Sequence, residues 1–141
     1  MKISTLLFGE VEIESDKIIN FEVGIPAFPE ENAFIILHDE LQEDSVFCWL
    51  QSVKSPEITF TLVDIQRIME NYSPALDKET VLSLGQDGDI FTYNIATVPE
   101  DISEMTVNLK APVVINAKTR KGMQIIAEND YPIRYKIFTE L

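Results

Sequence analysis

Acid and aliphatic side chains alternate one by one in Glu10-Val11-Glu12-Ile13-Glu14, the two-residue period of a strand with one wet, negative face and one buried face. The period returns in Ile58-Thr59-Phe60-Thr61-Leu62, with threonine outward, and in Met105-Thr106-Val107-Asn108-Leu109. Further runs with strand character cover residues 3–8, 18–21, 34–38, 46–51, 90–98, 113–117, 123–127 and 134–138. Breakers separate them: Gly24 to Pro29, Ser55-Pro56, Gln86-Asp87-Gly88-Asp89, Pro99, Pro112 and Gly122. Helix is scarce. Residues 77–85 are the best stretch, with Asp77 able to cap the first amides and Gly85 able to stop the helix. A turn or two of helix is also expected at 65–71. About ten short strands with tight turns predict a mainly β chain: a small, antiparallel, β-barrel-like single domain with one or two short helices.

A chain of 141 residues fits one domain with a sizeable core. Its charge is uneven. The formal net charge is -13, yet residues 1–109 hold 21 acids against 5 bases, while residues 110–141 hold 3 acids against 6 bases. Such a body disfavours nucleic acid, whose phosphates need clustered Lys and Arg, and suits a basic partner. The same acidity also serves simple solubility. No apolar run approaches a membrane span, and the acids that follow Phe8 argue against a signal peptide. A single cysteine, Cys48, precludes an intrachain disulfide and fits the cytosol.

Catalytic readings find little support. His38 is the one histidine, and Asp39 beside it points to the opposite face of a strand and orients it poorly. Cys48 sits among Val46, Phe47, Trp49 and Leu50, an apolar setting for an inert thiol. One histidine and one cysteine do not make a zinc site, and Asp87-Gly88-Asp89 lacks the remaining ligands of a calcium loop and reads as a hairpin-type turn. There is no phosphate-binding glycine loop and no nucleophile elbow. No catalytic residue, metal or cofactor is expected. Phe47, Trp49, Phe60, Phe91 and Tyr93 are expected to fill the core. The segment from Gly24 to Pro29 is expected to fold its apolar side chains back as a plug, or else to present a contact patch.

Three segments carry a resemblance: Phe21-Glu22-Val23-Gly24-Ile25-Pro26-Ala27-Phe28, Cys48-Trp49-Leu50-Gln51-Ser52, and Val107-Asn108-Leu109-Lys110-Ala111-Pro112-Val113-Val114-Ile115-Asn116. With Gly122-Met123-Gln124 and Tyr131 following, their order and spacing resemble the bacterial flagellar assembly factor FliW family over nearly the whole chain. Ala27 departs from it, standing where the family pattern has a second glycine, and alanine resists positive φ. The resemblance implies a cytoplasmic, non-enzymatic protein that binds flagellin and the basic RNA-binding translational repressor CsrA. Freed when flagellin is exported, such a protein relieves CsrA's repression of flagellin synthesis. It implies one FliW-like β-barrel domain over residues 1–141, with no direct nucleic-acid or membrane contact. Repulsion at -13 favours a monomer. The family-motif positions Gly24, Pro26, Phe28, Trp49, Leu50, Gln51, Asn108, Pro112 and Asn116 are expected to be structural. Candidate partner contacts are the acids Glu40, Glu43, Asp44, Asp87, Asp89, Asp101 and Glu104, together with Asn108, which alternation turns outward before an expected strand edge at Pro112. The alternatives are an acidic β-barrel that binds a small ligand in a pocket of converging acids, and a structural flagellar component.

Overall fold

The structure, a computed structural model, describes residues 1–39, 41 and 45–138. Strands form at each place where alternation predicts one. They are β1 (Lys2–Thr5), β2 (Gly9–Glu12), β3 (Ile19–Asn20), β4 (Ala33–Leu37), β5 (Phe47–Ser52), β6 (Thr59–Val63), β7 (Ile90–Thr97), β8 (Thr106–Val107), β9 (Val113–Asn116), β10 (Lys121–Gln124) and β11 (Tyr135–Lys136). Between β6 and β7 lies α1 (Lys78–Leu84). Asp77 Oδ1 accepts from the Thr80 amide at 2.7 Å, and Gly85, at φ +97°, ends the helix. Residues Ile65–Arg67 make one 3-10 turn.

Two strands end early for local reasons. β1 stops at Thr5 because the Thr5 hydroxyl accepts from the Phe8 amide and donates to the Gly9 carbonyl, closing a turn. β8 stops at Val107 because Asn108 Oδ1 accepts from the amides of Lys110 and Ala111, both at 3.0 Å.

Among the described residues nine strands form one sheet in the order β11-β8-β7-β6-β5-β4-β3-β10-β9, while β1 and β2 form a separate antiparallel ribbon. The expected antiparallel barrel is therefore corrected. The end strands of the sheet, β11 and β9, do not pair with each other, so the sheet does not close end to end. Instead β9 folds back onto β7, which has three neighbours: β9 along residues 90–93, β6 at residues 94–95 and β8 at residues 96–97. A barrel strand has one neighbour on each side; an eight-residue strand whose edge serves two short ones makes a branch point. One pairing, β3 with β10, is also parallel, through Asn20 and Lys121 alone.

The rolled sheet encloses Ile19, Phe21, Phe34, Cys48, Leu50, Leu62, Val113 and Ile115. Its outer face is covered in patches. The β1–β2 ribbon lays Ile3 and Ile13 over Ile35 and Leu37, and α1 sets Leu84 against Val114 and Ile125. A second core joins Val63, Ile65, Tyr72, Val107 and Leu109. There the buried Tyr72 hydroxyl donates to the Leu109 carbonyl at 2.7 Å and accepts from Asn94 Nδ2 at 2.9 Å.

The expectation that five aromatics fill the core holds only in part. Cys48 and Leu50 face the first core on β5, so strand parity turns Phe47 and Trp49 to the other face, where Phe47 packs against the second core. Phe60 and Tyr93 pack against the core, and Phe91 is half exposed.

The segment after Phe21 forms the expected plug. Gly24 adopts φ +67°, and a Cβ there would lie 2.5 Å from the Pro29 carbonyl oxygen. The Phe28 amide donates to the Ile25 carbonyl at 2.7 Å, with Pro26 presetting the turn between them. Ile25 drops into the core, a burial that contributes about 1.5–3 kcal/mol, and Phe28 stacks edge-on to Phe60 at 5.9 Å. Ala27 is not among the positive-φ residues, so the absent second glycine imposes no strain. Gly24→Ala combines a left-handed backbone with a backbone collision, and is expected to lower stability by about 2 kcal/mol or more in urea unfolding. An unchanged midpoint would contradict this reading of the plug.

Candidate functional site: an apolar groove with acidic neighbours

Parity on β5 has a consequence on the outer face. Phe47 and Trp49 project there beside Thr61 of β6, and the end of β7 brings Val98 alongside. The 3-10 turn Ile102–Glu104 supplies Ile102, and Met105 and Phe138 complete a groove of about 310 Å³. Phe8, at the tip of the β1–β2 ribbon, packs edge-on to Trp49 with ring centroids 5.3 Å apart. Phe8, Val98, Ile102 and Phe138 are 39–59% exposed. Apolar side chains clustered this way on a charged chain make a contiguous contact patch rather than scattered exposure.

Acids border it. Asp39 lines the groove, with Oδ1 accepting from the Leu41 amide at 3.0 Å. Asp101 and Glu104 flank Ile102 in sequence. The Ser103 hydroxyl and amide, at 2.6 and 3.1 Å, hold the Asp101 carboxyl below its usual range and so keep it ionised. Glu104 pairs with Lys136 at 3.0 Å, and both are exposed, so the pair adds little stability.

The remaining predicted contacts are not brought together here. Asp87 and Asp89 are exposed on the loop before β7, at the opposite end of that strand from Val98 and roughly 25 Å away along it. Glu40, Glu43 and Asp44 lie outside the described residues. Asn108 spends its side-chain oxygen on its own turn, and its carbonyl accepts from Asn94 Nδ2 at 2.9 Å. The strand edge expected at Pro112 is occupied, because β8 lies between β7 and β11 and β9 lies between β7 and β10. Pro112 is buried, and its carbonyl accepts from the Ile125 amide.

The family-motif residues hold loops. Asn116, fully buried, donates to the carbonyls of Gly85 and Asp87 and accepts from the amides of Lys118 and Thr119. Gln51 Nε2 donates to the carbonyls of Ser52, Ser55 and Pro56. Glu31, also buried, accepts from the hydroxyls of Ser52 and Ser55. Trp49 alone of the motif residues reaches the groove; Leu50 beside it is core.

Sequence reasoning missed Phe8, Val98, Ile102 and Phe138. A signal was present for Phe8: Leu6-Leu7-Phe8 is an apolar triplet ahead of Gly9, which has φ +66° in a hairpin turn where polar residues are usual. Ile102 and Phe138 follow no periodic pattern, and only the three-dimensional fold gathers them.

Among the described residues no three His, Cys, Asp or Glu side chains cluster as a metal site, and no helix is long and apolar enough to cross a membrane. Cys48 is inert: burial, aided by the Asp64 charge, pushes its thiol up to about 12.

A family profile described as FliW protein matches residues 2–137. The chain is 38% identical over 143 residues to the flagellar assembly factor FliW of Lachnospira eligens, covering 98% of this chain and 95% of that one. It is 40% identical over 144 residues to the FliW of Caldanaerobacter subterraneus subsp. tengcongensis, covering 100% and 95%. A crystal structure of the flagellar assembly factor FliW superposes with a TM-score of 0.90 at 36% identity, covering 99% of both chains.

Two measurements check these surroundings. Because the folded thiol stays protonated at neutral pH, a thiol reagent should leave native Cys48 untouched and titrate it once the chain is unfolded in guanidinium; rapid native labelling would contradict the burial. Phe8→Ala should red-shift the emission of Trp49, the single tryptophan, by opening one side of its ring to water, with a loss of about 1 kcal/mol for the aromatic pair. An unshifted spectrum would place Phe8 elsewhere.

Proposed function

The chain belongs to the FliW family of flagellar assembly factors, and from that premise we propose that it regulates flagellin synthesis by switching between two protein partners. In this reading it is a cytoplasmic, non-enzymatic adaptor, monomeric when free, that binds flagellin and the basic repressor CsrA. Flagellin export frees it to bind CsrA and relieve repression; accumulating flagellin takes it back.

The observation that carries this reading is the apolar groove around Trp49 on the outer face of an acidic body. We assign the groove to an apolar segment of CsrA. Two contributions separate by distance. The groove's aromatics supply contact area that is removed from water on binding, and so govern residence time. The acids act at longer range, raising the encounter rate with a basic protein in a salt-dependent way. At physiological salt the screening length is about 8 Å, so Asp39, Asp101 and Glu104 beside the groove act on a docked partner. Asp87 and Asp89, roughly 25 Å off, add only to the general field.

Calorimetric titration with CsrA tests the assignment. Binding should weaken as salt rises, and flagellin should compete. Ile102→Glu, an exposed site where the fold tolerates a charge, should weaken CsrA at least about tenfold by placing an acid in the apolar bed. Asp87→Lys with Asp89→Lys should change affinity by only a few-fold. No binding of either protein at low salt would sink the function; CsrA binding indifferent to Ile102→Glu would move the contact elsewhere.

A further inference from the structure

The two ends of the rolled sheet differ. One end is stopped by the plug, where Ile25 is buried and Phe28 lies on Phe60. At the other end the interior faces of β3, β4, β7 and β9 run out into a cavity of about 310 Å³, floored by Ile19, Ile36 and Ile115 and walled by Phe91 and Tyr93. That volume falls at the lower bound of small-molecule sites, about 300–1,000 Å³. The charge on its rim runs against the rest of the chain: Lys17 and Arg120 border the opening, and the exposed His38 also lines it.

Neither cation is neutralised. Among the described residues Lys17 and Arg120 make no ion pair. Arg120 Nη2 donates to the Lys17 carbonyl at 2.5 Å, which fixes the guanidinium at the rim, while its Nε is buried without a partner. The buried Nε is out of reach of a ligand in the cavity, so any contact falls to the terminal guanidinium nitrogens at the rim. The backbone of Arg120 is held at φ +58°, the one non-glycine positive φ among the described residues. Asparagine or glycine would adopt that conformation with less strain, so the turn alone does not account for arginine at this place. Tyr93 contributes a hydroxyl with no protein partner among the described residues, and burial, with Cys48 and Asp64 nearby, raises its pKa to about 12, leaving it a neutral donor.

We propose that this open end binds a small apolar carboxylate, its chain in the throat and its head group on Arg120 and Lys17. One guanidinium and one ammonium above an apolar floor match a monoanion with a hydrocarbon body. A polyanion fits poorly: Asp64 lies near Tyr93, and the chain as a whole carries -13. The site is separate from the groove around Trp49 and independent of its partner.

Octanoate and 1-octanol, titrated into isotope-labelled protein with the amide signals of Ile36, Tyr93, Ile115 and Arg120 followed by NMR, test the proposal. Octanoate should produce saturable shifts at these four positions, and octanol should bind roughly tenfold more weakly for want of the charge. Arg120→Asn, chosen because it suits the backbone, should weaken octanoate by about tenfold and leave octanol unchanged. Should that variant unfold, Lys17→Gln on the exposed rim should weaken octanoate a few-fold. Absence of saturable shifts, equal affinity for the alcohol, or octanoate affinity unchanged in the folded variants would overturn it.

Discussion

Strand β7 carries three neighbours, and the shape of the molecule follows from that branch. Its first four residues hold β9 and so roll the sheet around its interior. Its last two hold β8, which starts the second core beneath Tyr72. Between them Asn94, fully buried, donates to the Tyr72 hydroxyl and to the Asn108 carbonyl. Those two bonds fasten the point where the chain leaves one partner strand for the next. Both bonds come from Nδ2, while Asn94 Oδ1 is buried without a partner among the described residues, so the side chain ties the branch through its nitrogen alone and at some cost. The two surfaces of interest then sit at the two ends of the same strand: Phe91 and Tyr93 in the throat, Val98 in the groove.

Strand existence was legible in the sequence because a two-residue period of burial belongs to extended chain and not to helix. The caps of α1 were legible because Asp77 and Gly85 act locally. The order of strands was not. Alternation states that Val107 and Leu109 are buried, but not that β8 and β9 share one edge of β7. That depends on Asn108 folding its side chain into a turn, and on strands too short to occupy a whole edge. The barrel expectation failed at that step. Closure requires long-range register, which local pattern does not contain.

The candidate site was harder to read for a related reason. Residue type assigns aromatics to the core, whereas parity decides: with Cys48 inside, Trp49 must be outside. Alternation around Asn108 and Pro112 suggests an exposed edge; the structure fills that edge on both sides. Charge alone singles out the acids, and charge carries no position. Asp101 caps and Glu104 ends the 3-10 turn that carries the groove residue Ile102, while Asp87 and Asp89 stand at the far end of β7.

The acidity and the two cations of the throat bear on each other. In a field of net charge -13, two bases pair with acids, Lys121 with Glu22 and Lys136 with Glu104, while among the described residues the exposed Lys2, Lys54, Lys78 and Lys118 form no ion pair. Arg120 is kept from pairing by its strained backbone and by the bond to the Lys17 carbonyl, which points its guanidinium along the rim. Strain of this sort persists only where surrounding contacts over-determine it, here the Arg120 amide donating to the Asn116 carbonyl and the Arg120 carbonyl accepting from the Asn20 amide. The same buried Asn116 that ties down the loop before β7 thus also fixes the turn that holds Arg120. What sets Arg120 apart from the other bases without an ion pair is its place, held by backbone and side-chain bonds over an apolar opening where an anionic head group can reach it.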